Sequence, residues 1–484
     1  METIKFLLVF ILCGGIALCL LGAITAGVKR GKICLIIPTL ASGRRSNPIG
    51  FWSLVFVLGL LVAVAIGMWL GLTRDSVFAV PTRGAIIWSN WNNDAQKCSE
   101  TQETPDAAIQ HCTQAIDSGE LLDINLAVTF TNRGLAYEQK GDYDRAIEDH
   151  TRAINLAPNL APVFANRGSA YSRKGQQDRA IEDYNHAVRL DPDNAEIINE
   201  RGLLYSIKGD YDRAIKDHEL AIQLDPDLSL AFAGRGYTYH RKGDYDRSIR
   251  DYNEAIRLGQ KDMQVFLNRG HAYYRKGNYP QAIEDFDKAI QLEPGNPQAF
   301  LYRGNTYSRQ GNYERAIQDY NEVIRLDPKD LWVFGSKGRA LFYLRRFGDA
   351  QDAFLKAVNL ESKDLYDVLW LYLARSRGEQ DARNELASNA ERLDLTTWPT
   401  LVVKLFLGKA TVKEVLDAAR NPDPKKDREQ HCEAYFYLGQ LALIQGKQTE
   451  AIKLFKATLE TGITNFVEYH AAQVELRRLA VSID

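Results

Sequence analysis

Cys98 and Cys112 enclose the stretch CSETQETPDAAIQHC, a dense group of side chains able to do chemistry. Thr104 as N-cap and Pro105 as first helical residue indicate the end of one helix, a turn and a new helix. An unbroken helix would hold the two sulfurs about 21 Å apart, whereas two antiparallel helices bring them together. In an oxidising compartment a disulfide is expected; two reduced, buried thiols are the alternative.

The remaining reactive side chains do not form a catalytic or metal-binding pattern. His111, next to the two cysteines, falls short of completing a closed zinc shell. His150, His218 and His240 come at positions that recur along the chain, so we expect them to pack or to lie on the surface. The sequence has no phosphate loop and no Ser–His–Asp motif. We therefore expect a protein that is not an enzyme and that holds no cofactor or metal; an enzymatic site within residues 363–484 is the alternative.

The charges of the chain are nearly balanced, with 60 Lys and Arg against 62 Asp and Glu. No overall field draws such a chain to nucleic acid, so no nucleic-acid partner is expected. The length of 484 residues, with 45% hydrophobic and 25% charged residues, indicates several folded units and excludes wholesale disorder.

Two long apolar runs near the N-terminus predict a membrane anchor. Residues 6–28 and 51–72 carry no charge, and a helix needs about 20 apolar residues to cross a bilayer. We therefore expect a two-helix transmembrane anchor within residues 1–76. A buried core helix is the alternative for either run, and a cleaved signal peptide is a further alternative for the first.

The loop that joins the two runs predicts their orientation. Its charged residues are all basic: Lys29, Arg30, Lys32, Arg44 and Arg45. Short loops rich in Lys and Arg stay in the cytoplasm, so both ends of the chain lie on the far side. For a bacterial chain this predicts an inner-membrane protein whose C-terminal part faces the periplasm.

The strongest pattern in the chain is a repeat of 34 residues. The first glycine of each unit marks it: Gly134, Gly168, Gly202, Gly236, Gly270, Gly304 and Gly338. A second glycine follows seven positions later in six units: Gly141, Gly175, Gly209, Gly243, Gly277 and Gly311. A fixed period with helical spacing indicates stacked two-helix units, because no single unit can bury its apolar face alone.

Each recurring residue has a mechanical role in such a unit. The first glycine, with a small residue such as Ala146, lets two helices approach closely, and a tyrosine such as Tyr137 fills the space between them. The second glycine supplies the left-handed residue that ends the first helix, and the Asp or Asn after it opens the second. A proline such as Pro158 stops the unit.

On these positions, residues 127–362 resemble seven tetratricopeptide (TPR) repeats. The resemblance implies an all-α fold, a right-handed superhelix (α-solenoid) whose inner groove binds extended peptides or partner helices. The first helix of each repeat mainly lines that groove. In the same register, Cys98 and Cys112 face each other in a degenerate hairpin at residues 85–117, within a linker and capping segment at 77–126.

The resemblance also implies where a partner binds. Superposed repeats place ten residues on the helix face that TPR proteins turn inward: Tyr237, His240, Arg241, His271, Tyr274, Arg275, Asn305, Ser308, Arg309 and Arg339. Arginines with aromatic rings suit carboxylates and extended peptide; a solvated face paired with neighbouring acids is the alternative. The carboxylate clamp of TPR co-chaperones is not matched, since Thr131 and Leu135 replace two of its residues and only Asn166 agrees.

The C-terminal part is similar to the tail of the NlpI-type periplasmic TPR lipoproteins, over roughly residues 365–480. Leu438, Gly439, Gly446, Ala451 and Phe455 keep the spacing of a TPR hairpin, and NFVEYHAAQVEL follows as a closing helix. The resemblance implies a helical domain at 363–484 and a dimeric, non-catalytic adaptor for envelope proteases or peptidoglycan enzymes. The chain departs from the family in having no lipidation cysteine and more repeats.

Together these patterns predict a membrane-anchored TPR scaffold or adaptor that binds proteins or peptides through its groove and forms a homodimer. The alternative is a periplasmic assembly chaperone, or a secretion-system component, that holds client segments.

Overall fold

The computed structural model describes residues 104–121, 123–360, 364–391 and 398–479, together with Ala95, Lys97 and Cys98. Every regular element within these ranges is an α-helix. None of these helices combines the length and the apolar character that a bilayer crossing requires. The two runs predicted to span a membrane, at 6–28 and 51–72, lie outside the described residues.

In the continuously described part of the chain, helix α1 (Pro105–Asp117) precedes seven helical hairpins. We call the first helix of each hairpin its A helix: α2 (Asp123–Gln139), α4 (Ala161–Arg173), α6 (Ala195–Ile207), α8 (Ser229–Lys242), α10 (Met263–Arg275), α12 (Pro297–Arg309) and α14 (Leu331–Tyr343). The second is the B helix: α3 (Tyr143–Leu156), α5 (Gln177–Leu190), α7 (Tyr211–Leu224), α9 (Tyr245–Arg257), α11 (Tyr279–Leu292), α13 (Tyr313–Leu326) and α15 (Phe347–Asn359). Each A helix packs on its own B helix and on the B helix before it.

The first glycine of each repeat lies against a ring on the B helix 16 residues later. A Cβ placed on Gly270 would lie 2.8 Å from Phe286 Cε1, and one on Gly338 would lie 2.7 Å from Phe354 Cε1. The same relation joins Gly202 to His218 at 2.9 Å. The close approach expected of this glycine is therefore present, and it makes room for a buried ring. His150 and His218 fill this ring position and are fully buried, which agrees with a packing role.

The arginine before that glycine links three helices. In the fifth repeat Arg269 donates through Nε and Nη2 to Asp285 at 2.8 and 2.6 Å, and through Nη1 to Asn253 of the preceding B helix at 2.6 Å. Arg–carboxylate pairs with two parallel hydrogen bonds also recur in repeats 1 to 4 and 6: Arg133–Asp149, Arg167–Asp183, Arg201–Asp217, Arg235–Asp251 and Arg303–Asp319. The seventh repeat has Lys337 at this position. Because these pairs are largely buried, they fix the register between A and B helices.

The turn between A and B helices has the backbone that its sequence requires. Gly243 has φ of 86°, and the other five second glycines have φ between 78° and 84°. At the next position Asp244 caps the B helix by accepting a hydrogen bond from the backbone N–H of Arg247 at 3.1 Å. In the seventh repeat the glycine position is taken by Arg345, which has φ of 61° and therefore adopts a conformation that disfavours L side chains.

Among the described residues, seven further helices follow the array: α16 (Leu365–Arg377), α17 (Arg383–Ala390), α18 (Thr400–Phe406), α19 (Val412–Ala418), α20 (Pro424–Ile444), α21 (Gln448–Glu460) and α22 (Val467–Arg478). The TPR-like hairpin is α20 with α21, in which Gly439 lies against Phe455 as in the repeats. The closing helix is α22, which packs on both. Trp370 and Phe436 belong to one apolar core that runs from the last two repeats through this hairpin.

Candidate functional site

The A helices form the inner row of the array. Successive A helices contact one another from α2 to α14, and α14 contacts α16 in the same way. No comparable contact joins successive B helices in the described part of the chain. Tyr237 and Arg241 are four residues apart on α8, and the Arg241 Nη1 atom donates to the Tyr237 hydroxyl at 2.8 Å. Side chains on this inner face can therefore be reached by a partner lying along the row.

Rings from three successive A helices form a ladder on this face. The ring of His271 lies between those of His240 and Tyr302, with centroid distances of 4.9 and 5.0 Å. Tyr274 stacks on His271 at 6.0 Å. We call His240, His271, Tyr274 and Tyr302 the ring ladder. Its partly exposed rings offer apolar contact together with polar ring atoms and hydroxyl groups, which suits contact with a polypeptide.

Both histidines of the ring ladder are uncharged at neutral pH. Burial, with a further contribution from Arg275 and Arg241, lowers the pKa of His240 to about 4. Burial, with His240 and Arg275, likewise lowers the pKa of His271 to about 4. The positive charge of this face therefore comes from its arginines.

Arg275 lies over the ring of Tyr245, 5.3 Å from its centroid. Arg275 is exposed, and its guanidinium makes no hydrogen bond or ion pair to any residue that the structure describes. A guanidinium held over an aromatic ring with its N–H groups free is ready to receive an acceptor from outside the chain.

Arg309, one repeat later at the same position, is already occupied. Its Nη1 and Nη2 atoms donate to the backbone carbonyls of Thr464 and Asn465 at 3.4 and 3.0 Å. Next to this contact, the Tyr313 hydroxyl lies 3.3 Å from His470 Nε2. The loop before α22, and α22 itself, thus cover the inner face at repeats 6 and 7.

The ten candidate groove residues consequently fall into two groups. Tyr237, His240, Arg241, His271, Tyr274 and Arg275 belong to repeats 4 and 5 and contact one another or their neighbours on the inner face. The other four belong to repeats 6 and 7, where other residues of the same chain contact them. Asn305 accepts from the Tyr320 hydroxyl at 2.9 Å, and Arg339 donates to Ser336 at 3.1 Å. Ser308 lies against His470 of α22, and Arg309 bonds to the loop before α22.

Sequence reasoning missed two residues of the inner face. Tyr302 completes the ring ladder. It follows His271 by 31 residues, and His271 follows His240 by 31 residues. This equal spacing is the one sequence signal that could have indicated Tyr302. Trp332 is 75% exposed and shares a face of α14 with Arg339, seven residues on. A tryptophan this exposed is unusual for a residue that normally buries its ring.

A disulfide joins Cys98 and Cys112. It links α1, which contains Cys112, to the helical residue Cys98 that precedes α1. Both cysteines are buried. The third cysteine among the described residues, Cys432, is buried without a disulfide, and burial raises the pKa of its thiol to about 12. No group of side chains within the described ranges has the make-up of a metal site.

A buried carboxylate lies in the C-terminal helices. Glu433 accepts hydrogen bonds from the Trp398 indole N–H at 2.7 Å and from the Tyr366 hydroxyl at 2.9 Å. Burial and the nearby Glu468 raise the pKa of Glu433 to about 7. Since the carboxylate is 7% exposed and both its partners are structural side chains, we assign it to packing.

Comparisons with known families agree with the repeat pattern. Tetratricopeptide repeat models match residues 127–160, 195–228 and 267–330, and a TPR repeat model matches 168–206 and 236–277. A relative, the Lipoprotein NlpI homolog of Haemophilus influenzae, is 36% identical over 119 residues, which are 24% of this chain. The match spans 38% of the relative's own length.

Several solved structures resemble parts of the array. A tetratricopeptide repeat protein from Parabacteroides merdae is 22% identical, with a TM-score of 0.41, over 48% of this chain and 91% of its own. Pseudomonas aeruginosa pilF is 21% identical, with a TM-score of 0.38, over 42% of this chain and 92% of its own. PilW, described as a type IV pilus biogenesis factor, is 17% identical, with a TM-score of 0.40, over 42% of this chain and 94% of its own. Scores of this size support no inference about function.

Proposed function

We propose that this chain, which is a tetratricopeptide repeat protein, serves as a membrane-anchored scaffold of the bacterial cell envelope. Its inner groove binds a segment of a partner protein over repeats 4 and 5. The observation that carries this proposal is the open ring ladder next to Arg275, whose guanidinium has no acceptor within the described part of the chain.

The cellular setting rests on two further lines of support. The uncharged runs at 6–28 and 51–72 and the basic loop between them favour a two-helix anchor with the array in the periplasm. The partial match to the Lipoprotein NlpI homolog favours the same envelope setting and a non-enzymatic adaptor role. By the same analogy the scaffold forms a homodimer and acts on envelope proteases or peptidoglycan enzymes.

Photo-crosslinking tests the binding site. A photoreactive amino acid at Tyr274, on the ring ladder, should capture one or a few defined partners when the full chain is irradiated in its own membrane. The same amino acid at Arg250, exposed on the B helix α9 of the outer row, is the matched control and should capture none of them. Equal capture from both positions would contradict groove binding. A broad smear of captured proteins at Tyr274 would instead favour the chaperone alternative.

Reporter fusions test the compartment. A reporter that is active only in the periplasm should be active when fused after Asp484 and silent when inserted in the 29–49 loop. The reverse pattern would overturn the proposed topology and, with it, the envelope assignment.

A further inference from the structure

The inner face changes its charge between repeats 3 and 4. The A helices of repeats 4 to 7, which are α8, α10, α12 and α14, contain no Asp or Glu. Among the earlier A helices, α4 likewise has no acidic residue, but α2 carries Asp123 and Glu138, and α6 carries Glu196 and Glu200. In a chain with 62 acidic residues, four successive A helices without a carboxylate form an extended surface that lacks negative charge of its own.

Four of the nine Lys and Arg side chains of these helices are nevertheless paired with carboxylates of B helices. Arg235 and Arg269 each hold an aspartate of their own B helix, and Lys242 pairs with Asp212 of the preceding one at 2.7 Å. Arg241 and Arg275 are different, because neither has a carboxylate partner among the described residues. They occupy the same position in successive repeats, so two uncompensated positive charges lie on one edge of the open groove.

The next residue in this row shows what such an arginine binds. Arg309, 34 residues after Arg275, donates to two consecutive backbone carbonyls of the loop at Thr464 and Asn465. A guanidinium at this position therefore reaches the main chain of a polypeptide lying on the inner face. The same contact closes the groove at repeat 6, so the open stretch is limited to the part that includes Arg241 and Arg275.

The ring ladder crosses this open stretch. His240 and His271 belong to the same A helices as Arg241 and Arg275, and Tyr302 belongs to the next one. Its closely packed rings offer apolar contact, while the arginines offer paired N–H donors that fit a carboxylate. The two features together favour a ligand that combines negative charge with an apolar or aromatic side chain.

We propose that the groove of repeats 4 and 5 selects an acidic segment of a partner polypeptide, with its carboxylates on Arg241 and Arg275 and an apolar side chain against the ring ladder. This inference rests on the proposed scaffold function and narrows it to a chemical class of ligand.

A random dodecapeptide library displayed on phage tests the charge preference. The bait is the purified full chain in detergent micelles, and empty micelles are the blank. The recovered peptides should be enriched in Asp and Glu together with Phe, Tyr, Trp or Leu. Recovery of neutral or basic peptides, or no enrichment over the blank, would overturn the proposal.

Variants then locate the site. For the most enriched peptide, Arg241→Gln with Arg275→Gln should weaken binding roughly tenfold or more, since each removes a hydrogen bond to a charged group. Arg250→Gln, compared with each of the two single variants, removes one charge from the outer row and should change the affinity by less than about twofold. An equal loss in both proteins would show attraction by net charge alone and would contradict a groove site. The oligonucleotide dT12, which also carries negative charge, should bind far more weakly than the peptide; binding as tight would overturn the assignment to polypeptide.

These outcomes separate the two proposals. If photo-crosslinking at Tyr274 captures a defined partner while the library yields no acidic peptides, the scaffold function stands and this inference fails. If neither experiment gives a specific product, both fail.

Discussion

The Nη2 atom of Arg309 lies 3.0 Å from the backbone carbonyl oxygen of Asn465, 156 residues further along the chain. This hydrogen bond ties the sixth repeat to the loop that precedes α22. It sets the boundary between the open and the covered parts of the inner face.

Arg309→Gln should loosen that boundary. Losing two hydrogen bonds from a charged donor to backbone carbonyls should cost about 1 kcal/mol, because the contact is partly exposed to solvent. Hydrogen exchange of the full chain should become faster in residues 463–478. Arg275→Gln, at the same position one repeat earlier, is the control and should leave exchange there unchanged. If hydrogen exchange in residues 463–478 is equally fast in Arg309→Gln and Arg275→Gln, α22 is held in place without Arg309.

Gly270→Leu should damage the array locally. The site has no room, because even a Cβ would lie 2.8 Å from Phe286, so overpacking should cost about 1–3 kcal/mol. Gly295→Ala, where a Cβ meets nothing within 4 Å, is the control. Since each repeat contacts only its neighbours, the loss of hydrogen-exchange protection should concentrate near residues 263–296. Uniform loss along the chain would argue against a linear stack.

Arg345→Gly should stabilise the seventh repeat. Arg345 has φ of 61° where six other repeats have glycine, and this conformation costs an L residue about 1–2 kcal/mol. Part of that gain is offset by the greater flexibility of glycine in the unfolded chain, so we expect a net gain of about 0.5–1 kcal/mol in thermal unfolding experiments. Arg346→Gly should do the opposite, because Arg346 has φ of −81° and its side chain bonds to Asp349 at 2.7 Å. A loss of stability in Arg345→Gly would contradict the claim that the backbone of Arg345 is strained.

Glu433 should make the C-terminal helices less stable as the pH rises. Its pKa is about 7 in the folded chain against an ordinary value of 4.5. The folded state therefore keeps the Glu433 proton up to a higher pH than the unfolded chain does. The stabilisation is fully present below about pH 4.5 and is lost as the pH rises through 7, with an upper limit of about 3 kcal/mol.

Glu433→Gln tests this dependence, because glutamine can accept from Tyr366 and Trp398 without titrating. The variant should melt at a higher temperature than the original chain at pH 8, and the difference should shrink at pH 5. Glu450→Gln, at an exposed position of α21, should show no such trend. A constant difference at both pH values would contradict a buried, titrating Glu433.

Thiol counting tests the Cys98–Cys112 disulfide. In full-length protein taken from its own membrane and denatured without reductant, Cys432 should react with an alkylating reagent, and Cys98 and Cys112 should not. Reaction of both without reductant would rule out the disulfide and remove a chemical support for an oxidising compartment.

Removing the disulfide should loosen one end of the array. A link across about 15 residues contributes roughly 3 kcal/mol in the chain-entropy model. Cys98→Ser with Cys112→Ser should therefore speed hydrogen exchange in residues 104–160. Peptide binding at Arg275 should persist, because α1 packs on α2, and the helices of repeats 4 and 5 pack on their own neighbours in the described part of the chain. Loss of binding in this variant would show coupling along the whole array.

The sequence by itself determined the repeat architecture, because each recurring residue meets a local requirement that repeats every 34 positions. Gly270 must be small to pass Phe286, and Gly243 must adopt a positive φ. Such requirements depend on neighbours within one or two helices, so periodicity alone reveals them. The Arg–Asp pairs were equally regular, at 16 residues, but their partners become evident only when the two helices are packed.

The tertiary structure decided which part of the groove is open. Arg275 and Arg309 are equivalent in the repeat, yet Arg275 has no acceptor among the residues that the structure describes, whereas Arg309 holds the loop before α22. The same holds for Glu433, whose burial depends on Trp398 and Tyr366 from separate segments. Contacts between residues 35 to 156 positions apart follow from how the C-terminal helices fold back on the array. No local sequence pattern predicts how the C-terminal helices pack against the repeats, because that packing depends on a whole domain.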